Sequence, residues 1–590
     1  MLRWGDDLVV GMSGEITEVP AGFKHETILV SGDGVTETMD YYGKLMRFAY
    51  KTEKIYDRVV DKLGYWTDNG AYYYGDAYPQ QGNGPNYNLS CCTKNKIMAA
   101  KHALDEDRVP IKYLQLDDWW YSGPHPVKNF GVRGVKCVSE WKLPEDTYPG
   151  GLDSLRADYG APFVLYGPYF CTDNQWNQSL FPSGADAGVP TPQESLAFYT
   201  TLFAYAHAHG GVGYEVDFMS NLYIDVPEFR RTLDASTEWQ KGMNHAGLDT
   251  NTTIQFCMMQ PSDLLNSLQF NAVTNGRASA DYASDENWNI GGASLLFWAV
   301  GMRPSKDNFW SGDGQQRQPG FYQSNPGTNG ELNAILATMS RGPVGPSDGA
   351  GRHNATRLMR TCAADGTLLQ PERPITPIDA TFRQVTSPSE RQLNSAAVWS
   401  TFSHPRSTGD TPIYYQYHIL GVDVRPSAGT VPVFASDMYP VPPTAARFAV
   451  RDWHRSANCE PGADAVATRC VRVTSGQADE SLVSLDAGMS WPFGTHTTQL
   501  WTATLLQSGS GTVTLLGELD KFVPLSNQRF SDVKSDLIDV DGNARLQATV
   551  VGQPGEVVHV TALQPRGNSW VVLCANVTVG SDGTGQLKLP

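Results

Sequence analysis

From about residue 60 the chain alternates short apolar runs with polar segments of helical length, and this rhythm stops near residue 360. Eight runs read as strands: residues 63–67, 112–116, 163–166, 213–217, 253–257, 272–275, 295–299 and 335–339. Such alternation predicts βα units around a parallel sheet, and eight of them over roughly 290 residues match a (β/α)8 TIM barrel of the α/β class. The seventh run is ambiguous, because 293–300 reads equally well as a helix. Helical spacing is expected over 192–209 and 226–244, and over 35–50 ahead of the barrel, where Thr36 or Thr38 is placed to cap. Residues 1–35 alternate around Gly and Pro and read as the end of an N-terminal β-rich domain whose earlier part lies ahead of this numbering. The barrel then spans 36–360. Beyond it, 361–590 shows short alternating runs between Gly, Pro and Asp turns, which predict flanking all-β structure as one sandwich or two.

Acids stand at the ends of several runs. The fourth ends Tyr214-Glu215-Val216-Asp217, the second continues into Asp117-Asp118-Trp119-Trp120, and the sixth is followed by Arg277-Ala278-Ser279-Ala280-Asp281. The C-terminal ends of barrel strands are where such enzymes carry their chemistry. A single strand-end Asp is more often a helix cap; three such ends in order favour a site. Retaining glycosidases need two carboxyl groups about 5–5.5 Å apart, one a nucleophile and one an acid/base. Asp217, fixed at the end of a buried strand, suits the nucleophile, and Asp281 the acid/base. Arg277 holds a substrate hydroxyl, tunes Asp281, or forms a structural ion pair with it. Asp117 and Asp118 are adjacent, so they point in different directions and suit two sugar hydroxyls. Trp66, Trp119 and Trp120 offer faces for a sugar ring, with Tyr65 and Tyr169 behind them. At least one of the paired tryptophans is expected to pack instead.

Composition narrows the partners. With 62 Asp and Glu against 45 Lys and Arg, a net charge of −17 lacks the basic face that nucleic acid requires. No run has the length of a membrane span, and the twelve His show no metal-ligand spacing. No metal and no cofactor are therefore expected, and the expected partner is a carbohydrate substrate. Sequons at Asn88, Asn177, Asn251, Asn354 and Asn576 favour a secreted or lumenal glycoprotein. Nine cysteines are compatible with disulfides and at least one unpaired thiol. Cys459 and Cys470 flank a loop and form the best pair, Cys257 reads as a buried thiol, and the partners of Cys91-Cys92 are not legible.

The strand ending Leu116-Asp117-Asp118-Trp119, the strand ending in Asp217, Arg277 with Asp281, and Gly342-Pro343-Val344-Gly345-Pro346-Ser347-Asp348 together resemble the clan D glycosidases. The nearest likeness is the raffinose-synthase-like branch of glycoside hydrolase family 36, beside the melibiase-type α-galactosidases. The stretches 63–67 and 365–369 resemble that branch's first strand and barrel exit, so the resemblance runs over roughly residues 20–380. It implies a retaining α-galactosidase-like enzyme with Asp217 as nucleophile, Asp281 as acid/base, and Asp117 and Asp118 on sugar hydroxyls. One position departs from the pattern. The family commonly has Lys two residues before the nucleophile, where this chain has Glu215, an acceptor in place of a donor. Glu215 thus faces the substrate differently and adds negative charge beside Asp217. Met258-Met259-Gln260 likewise stands where polar recognition residues are usual. Transfer of the glycosyl group to an acceptor sugar shares the first step with hydrolysis. The rival reading is a non-catalytic carbohydrate-binding or structural glycoprotein on the same scaffold.

Overall fold

The computed structural model describes residues 2–4, 7–9, 14–68, 93–121, 137–171, 174–176, 187–282, 289–312, 329–386, 398–406, 415–422, 430–486, 498–507, 512–538 and 544–589. Asn88, Asn177, Cys91 and Cys92 lie outside the described residues.

Six parallel strands stand side by side in the order Leu114–Leu116, Phe163–Gly167, Gly211–Val216, Thr253–Phe256, Val273–Arg277 and Arg303–Ser305. Two further stretches close the ring. The Tyr65 N–H donates to Tyr113 O and the Gln115 N–H to Tyr65 O, at 3.0 and 2.9 Å. On its other side the first stretch donates from Gly64 and Trp66 to Val344 O and Pro346 O, at 3.1 and 3.0 Å. Phe309 then exchanges hydrogen bonds with Gly345 and Ser347. The result is an eight-membered (β/α)8 barrel, with 63–67 in first place, the chain from Arg303 to Phe309 in seventh and 343–347 in eighth.

Strands one to six fall where the apolar runs put them, within two residues at either end. Strands seven and eight do not. Residues 295–299 lie in the helix Gly291–Ala299 and residues 335–339 in the helix Gly330–Met339. Every residue of the second helix but Glu331 is buried, so a buried, mostly apolar helix imitates a buried strand. The strands themselves are polar and proline-bearing, Arg303-Pro304-Ser305-Lys306-Asp307 and Pro343-Val344-Gly345-Pro346-Ser347. The helix expected over 226–244 is two helices, Pro227–Arg231 and Ala235–Thr250, separated where Thr232 turns extended. Helix Val35–Tyr50 has the expected bounds, but neither threonine caps it by itself. Gly34 is its N-cap, and Asp379 accepts from the Thr36 N–H and hydroxyl at 3.0 and 2.8 Å.

The β region contains a six-stranded antiparallel sheet, running from Thr376–Pro377 to Arg472–Val473, and a paired ribbon of Thr430–Phe434 with Ser481–Asp486. Two three-stranded sheets follow, between Thr514–Gly517 and Thr584–Leu589, and share one apolar core around Leu515, Phe530, Val550, Val560 and Leu587. This last unit holds a buried ionic cluster, and two of its members reach the barrel exit. Arg529 donates to Glu518, Val551 O and Glu556, at 2.9, 2.8 and 2.7 Å. Glu556 also accepts from the Ala364 N–H, and Lys521 donates to Met359 O. Disulfides join Cys459 to Cys470 and Cys137 to Cys171, while Cys257 and Cys362 are buried free thiols and Cys574 an exposed one. Among the described residues no helix is long and apolar enough to cross a membrane.

Candidate active site

Side chains alternate along each strand, so every second residue enters the barrel. Gln115 and Asp117 on the second strand, Glu215 and Asp217 on the fourth, Gln255 and Cys257 on the fifth and Arg277 on the sixth therefore face one another. Asp217 sits just past Val216, at the C-terminal end of its strand. Tyr166 donates its hydroxyl to one carboxylate oxygen at 2.8 Å and the Phe218 N–H donates to the other at 2.6 Å. Phe218 itself takes a left-handed conformation, φ 56°, which a bulky residue adopts only under constraint from its surroundings. Met258 does the same just beyond the fifth strand, and Asp307 within the seventh. Burial raises the pKa of Asp217; Arg277, the Cys257 thiol and the two donors oppose the rise.

Glu215 lies one layer deeper, buried, and accepts from the side-chain amides of Gln115 and Gln255 at 3.0 and 2.9 Å. Burial first, and the charge of Asp217 second, push its pKa up to about 7. The same Gln115 amide donates to Asp117 at 2.7 Å. Asp117 is itself raised well above the carboxylate range by burial, then by Asp118 and Glu215. Asp118 is buried beside it.

Arg277 is the cation of this site. It binds Asp68 at 3.2 Å and Asp307 at 3.5 Å, and it pairs closely with Asp281, whose side chain remains one-third exposed. Of the readings open for Arg277, the ion pair with Asp281 is present. Asp68 and Asp307 were not singled out in the sequence. Asp68 follows the first strand as Asp117 follows the second, a parallel that would have found it. Asp307 lies on a strand without apolar signal, where it accepts from the Tyr282 and Asn308 N–H groups at 2.7 Å each. Oxygens of Asp68, Asp117 and Glu215 lie within 4.8 Å of one another. Arg277 holds Asp68, while amide donors hold the other two, so these carboxylates are already coordinated by the protein.

The aromatic candidates divide. Trp66 fills the barrel interior and donates its indole N–H to the Tyr113 hydroxyl at 2.9 Å. Trp120 is fully buried, bonded to Tyr166 O and packed edge-on against Trp141. Trp119 bonds to Thr67 and stacks on Tyr148. All three serve packing in this conformation. Tyr65 donates to Asp348 O, Tyr169 is buried, and Gln260 caps the helix Pro261–Asn266. Asn251 and Asn576 are exposed, and Asn354 caps the helix Ala355–Met359.

No family model and no curated protein matches this sequence. Solved structures do. The α-galactosidase AgaA of glycoside hydrolase family 36 from Geobacillus stearothermophilus is similar over 81% of this chain, at 12% identity and a TM-score of 0.47. An α-galactosidase from Lactobacillus brevis is similar over 80%, at 12% identity and a TM-score of 0.45. The chain spans 60% and 58% of the lengths of these two structures. Isomaltulose synthase from Klebsiella sp. LX3 is similar over 77% of this chain and all of its own, at 11% identity and a TM-score of 0.38.

Proposed function

We propose that the protein is a retaining α-glycosidase, α-galactosidase-like, in which Asp217 is the nucleophile and Asp281 the acid/base. The observation that carries this reading is the seating of Asp217. Its carboxylate is fixed by Tyr166 and the Phe218 N–H at the mouth of the barrel, and one guanidinium, Arg277, acts on both Asp217 and Asp281. In the first step Asp217 attacks the anomeric carbon while Asp281 gives a proton to the departing oxygen. In the second, water or an acceptor sugar displaces Asp217, with Asp281 taking the proton. Asp117 and Asp118 accept from sugar hydroxyls, and Glu215, below the nucleophile, sets the charge beneath the ring. Disulfides and exposed sequon residues support a secreted or lumenal setting.

The close pairing of Arg277 with Asp281 favours a second reading. It is the arrangement of a structural ion pair, and under it the mouth binds a sugar without cleaving it. Hydrolysis of aryl α-glycosides of galactose, N-acetylgalactosamine, glucose and arabinose, wild type beside Asp217→Asn, decides between the two. Turnover that disappears in the variant supports the glycosidase. A folded wild type that cleaves none of them supports the binding protein.

A further inference from the structure

One buried amide ties two acids of the site together. Gln115 lies fully buried on the second strand. Its Oε1 accepts from the Thr67 N–H at 2.9 Å, and the Thr67 hydroxyl donates to Gln115 O at 2.8 Å. A backbone N–H can only donate, so this contact fixes which end of the amide is oxygen and which is nitrogen. The nitrogen, Nε2, donates to Asp117 at 2.7 Å and to Glu215 at 3.0 Å. It carries two hydrogens, so each acid receives one. Oxygens of these two acids and of Asp68 lie within 4.8 Å of one another. An apolar side chain in place of Gln115 would leave two buried carboxylates close together with no donor between them, which favours protonation of one.

We propose that Gln115 is a positioning residue, which holds the Asp117 carboxylate for a sugar hydroxyl and links it to Glu215. The sugar contact of Asp117 rests on the glycosidase reading above; the link to Glu215 rests on the hydrogen bonds alone. Glu215 is 1% exposed, and its other oxygen accepts from Gln255 at 2.9 Å. It lies too deep to meet a ligand, so its hydrogen-bonded path to the mouth runs through Gln115. The bond from Gln115 pulls the pKa of both acids down, against burial first and neighbouring acids second. The groups that act on the pair are Asp68, Asp118, Asp217, Asp307, the Cys257 thiol and the Tyr113 hydroxyl, with Arg277 as the cation opposing the acids. Gln115 thus places a donor between like charges at the one point where the deep acid and the mouth acid meet.

The test pairs urea midpoints with sugar binding by calorimetry, on the whole chain. Gln115→Met keeps the length of the side chain and removes both donors. The folded-state pKa values of Glu215 and Asp117 then rise further, so the native variant keeps protons that the unfolded chain has released. Its urea midpoint should fall more steeply than that of the wild type between pH 4.5 and pH 8. A side chain that only fills space would lower the midpoint equally at both pH values. Whichever of galactose, N-acetylgalactosamine, glucose or arabinose the wild type binds best should bind about tenfold or more weakly to Gln115→Met. In a Glu215→Gln background the same substitution should cost about threefold or less, because Asp117 no longer faces that charge. Gln115→Glu keeps the acceptor for Thr67 and donates only while protonated. It should fold at pH 4.5 and lose stability most steeply toward pH 8, which covers the case of a Met variant that fails to fold. Midpoints that run parallel to the wild type in both variants overturn the proposal, as does an unchanged sugar affinity in Gln115→Met. A wild type that binds none of the four sugars removes the sugar reading of the site, and the midpoint slopes then decide the link to Glu215 on their own.

Discussion

The two ends of the barrel treat buried carboxylates in opposite ways. At the N-terminal end Asp57 is fully buried and met by four donors, the Val59 N–H at 2.8 Å, Thr253 at 3.1 Å, Thr274 at 2.5 Å and Asn275 at 3.1 Å. Burial raises its pKa and every one of those hydrogen bonds pulls it back. Nothing about Asp57 is left for a ligand. At the C-terminal end Asp68, Asp117, Asp118, Glu215, Asp217 and Asp307 are all buried, Arg277 acts on Asp68, Glu215, Asp217 and Asp307, and neighbouring acids push up the pKa values of Asp68, Asp117 and Glu215. A structural carboxylate is matched by its surroundings, whereas a working one is fixed in place with its charge unbalanced. The barrel holds matched and unbalanced carboxylates at once, within one run of strands.

That contrast is open to test. The largest effect is expected for Asp217→Asn, which should lower turnover of a cleaved aryl α-glycoside by about 10⁴-fold or more while the thermal midpoint holds. A loss of folding in its place would make Asp217 another Asp57. Next, Asp57→Ala strips four donors of their acceptor and should destabilise the fold by about 3–4 kcal/mol in urea titration, with turnover per folded molecule unchanged. Glu215→Gln tests the charge imbalance through pH. Glu215 rises from 4.5 to about 7 in the fold, so the native protein keeps a proton that the unfolded chain has released. That contribution is full below about pH 4.5 and disappears as pH rises through about 7. The wild type should therefore lose about 1–3 kcal/mol more than the variant between pH 4.5 and pH 8, read from urea midpoints. An equal slope in both proteins would show that Glu215 is matched after all. The smallest effect is expected for Trp66→Phe, a loss of about 1 kcal/mol from the Tyr113 hydrogen bond with an unaltered KM. A raised KM would return Trp66 to the sugar site.

The sequence made the barrel legible through strands that end in acids. Residues 213–217 are apolar enough to read as a strand, and their acids show where it meets the mouth. Strands seven and eight were hidden by the same physics. Their backbones pair within the ring, yet Lys306-Asp307-Asn308 supply polar groups to the site region and Pro343 and Pro346 suppress the strand signal. The apolar signal in that part of the chain comes from helices buried between barrel and sheet. Asp217, Glu215 and Arg277 were found because they lie on strands that could be read. Asp307 was missed because its strand was not. The tryptophans show a further limit. A Trp beside acids fits a sugar platform in sequence, but the Trp66 indole N–H meets Tyr113 and that of Trp120 meets a backbone carbonyl, both within the core.

The Arg529 cluster sets how the molecule comes apart. Glu518 and Glu556 belong to the last β unit, yet Glu556 also holds the Ala364 N–H and Lys521 holds Met359 O, both on the barrel side. Separating the two parts would leave the Ala364 N–H without Glu556 and Lys521 without Met359 O, so neither part can loosen alone without exposing polar groups of the other. The terminal β unit thus acts as a cooperative partner of the barrel, and the two are expected to melt as one.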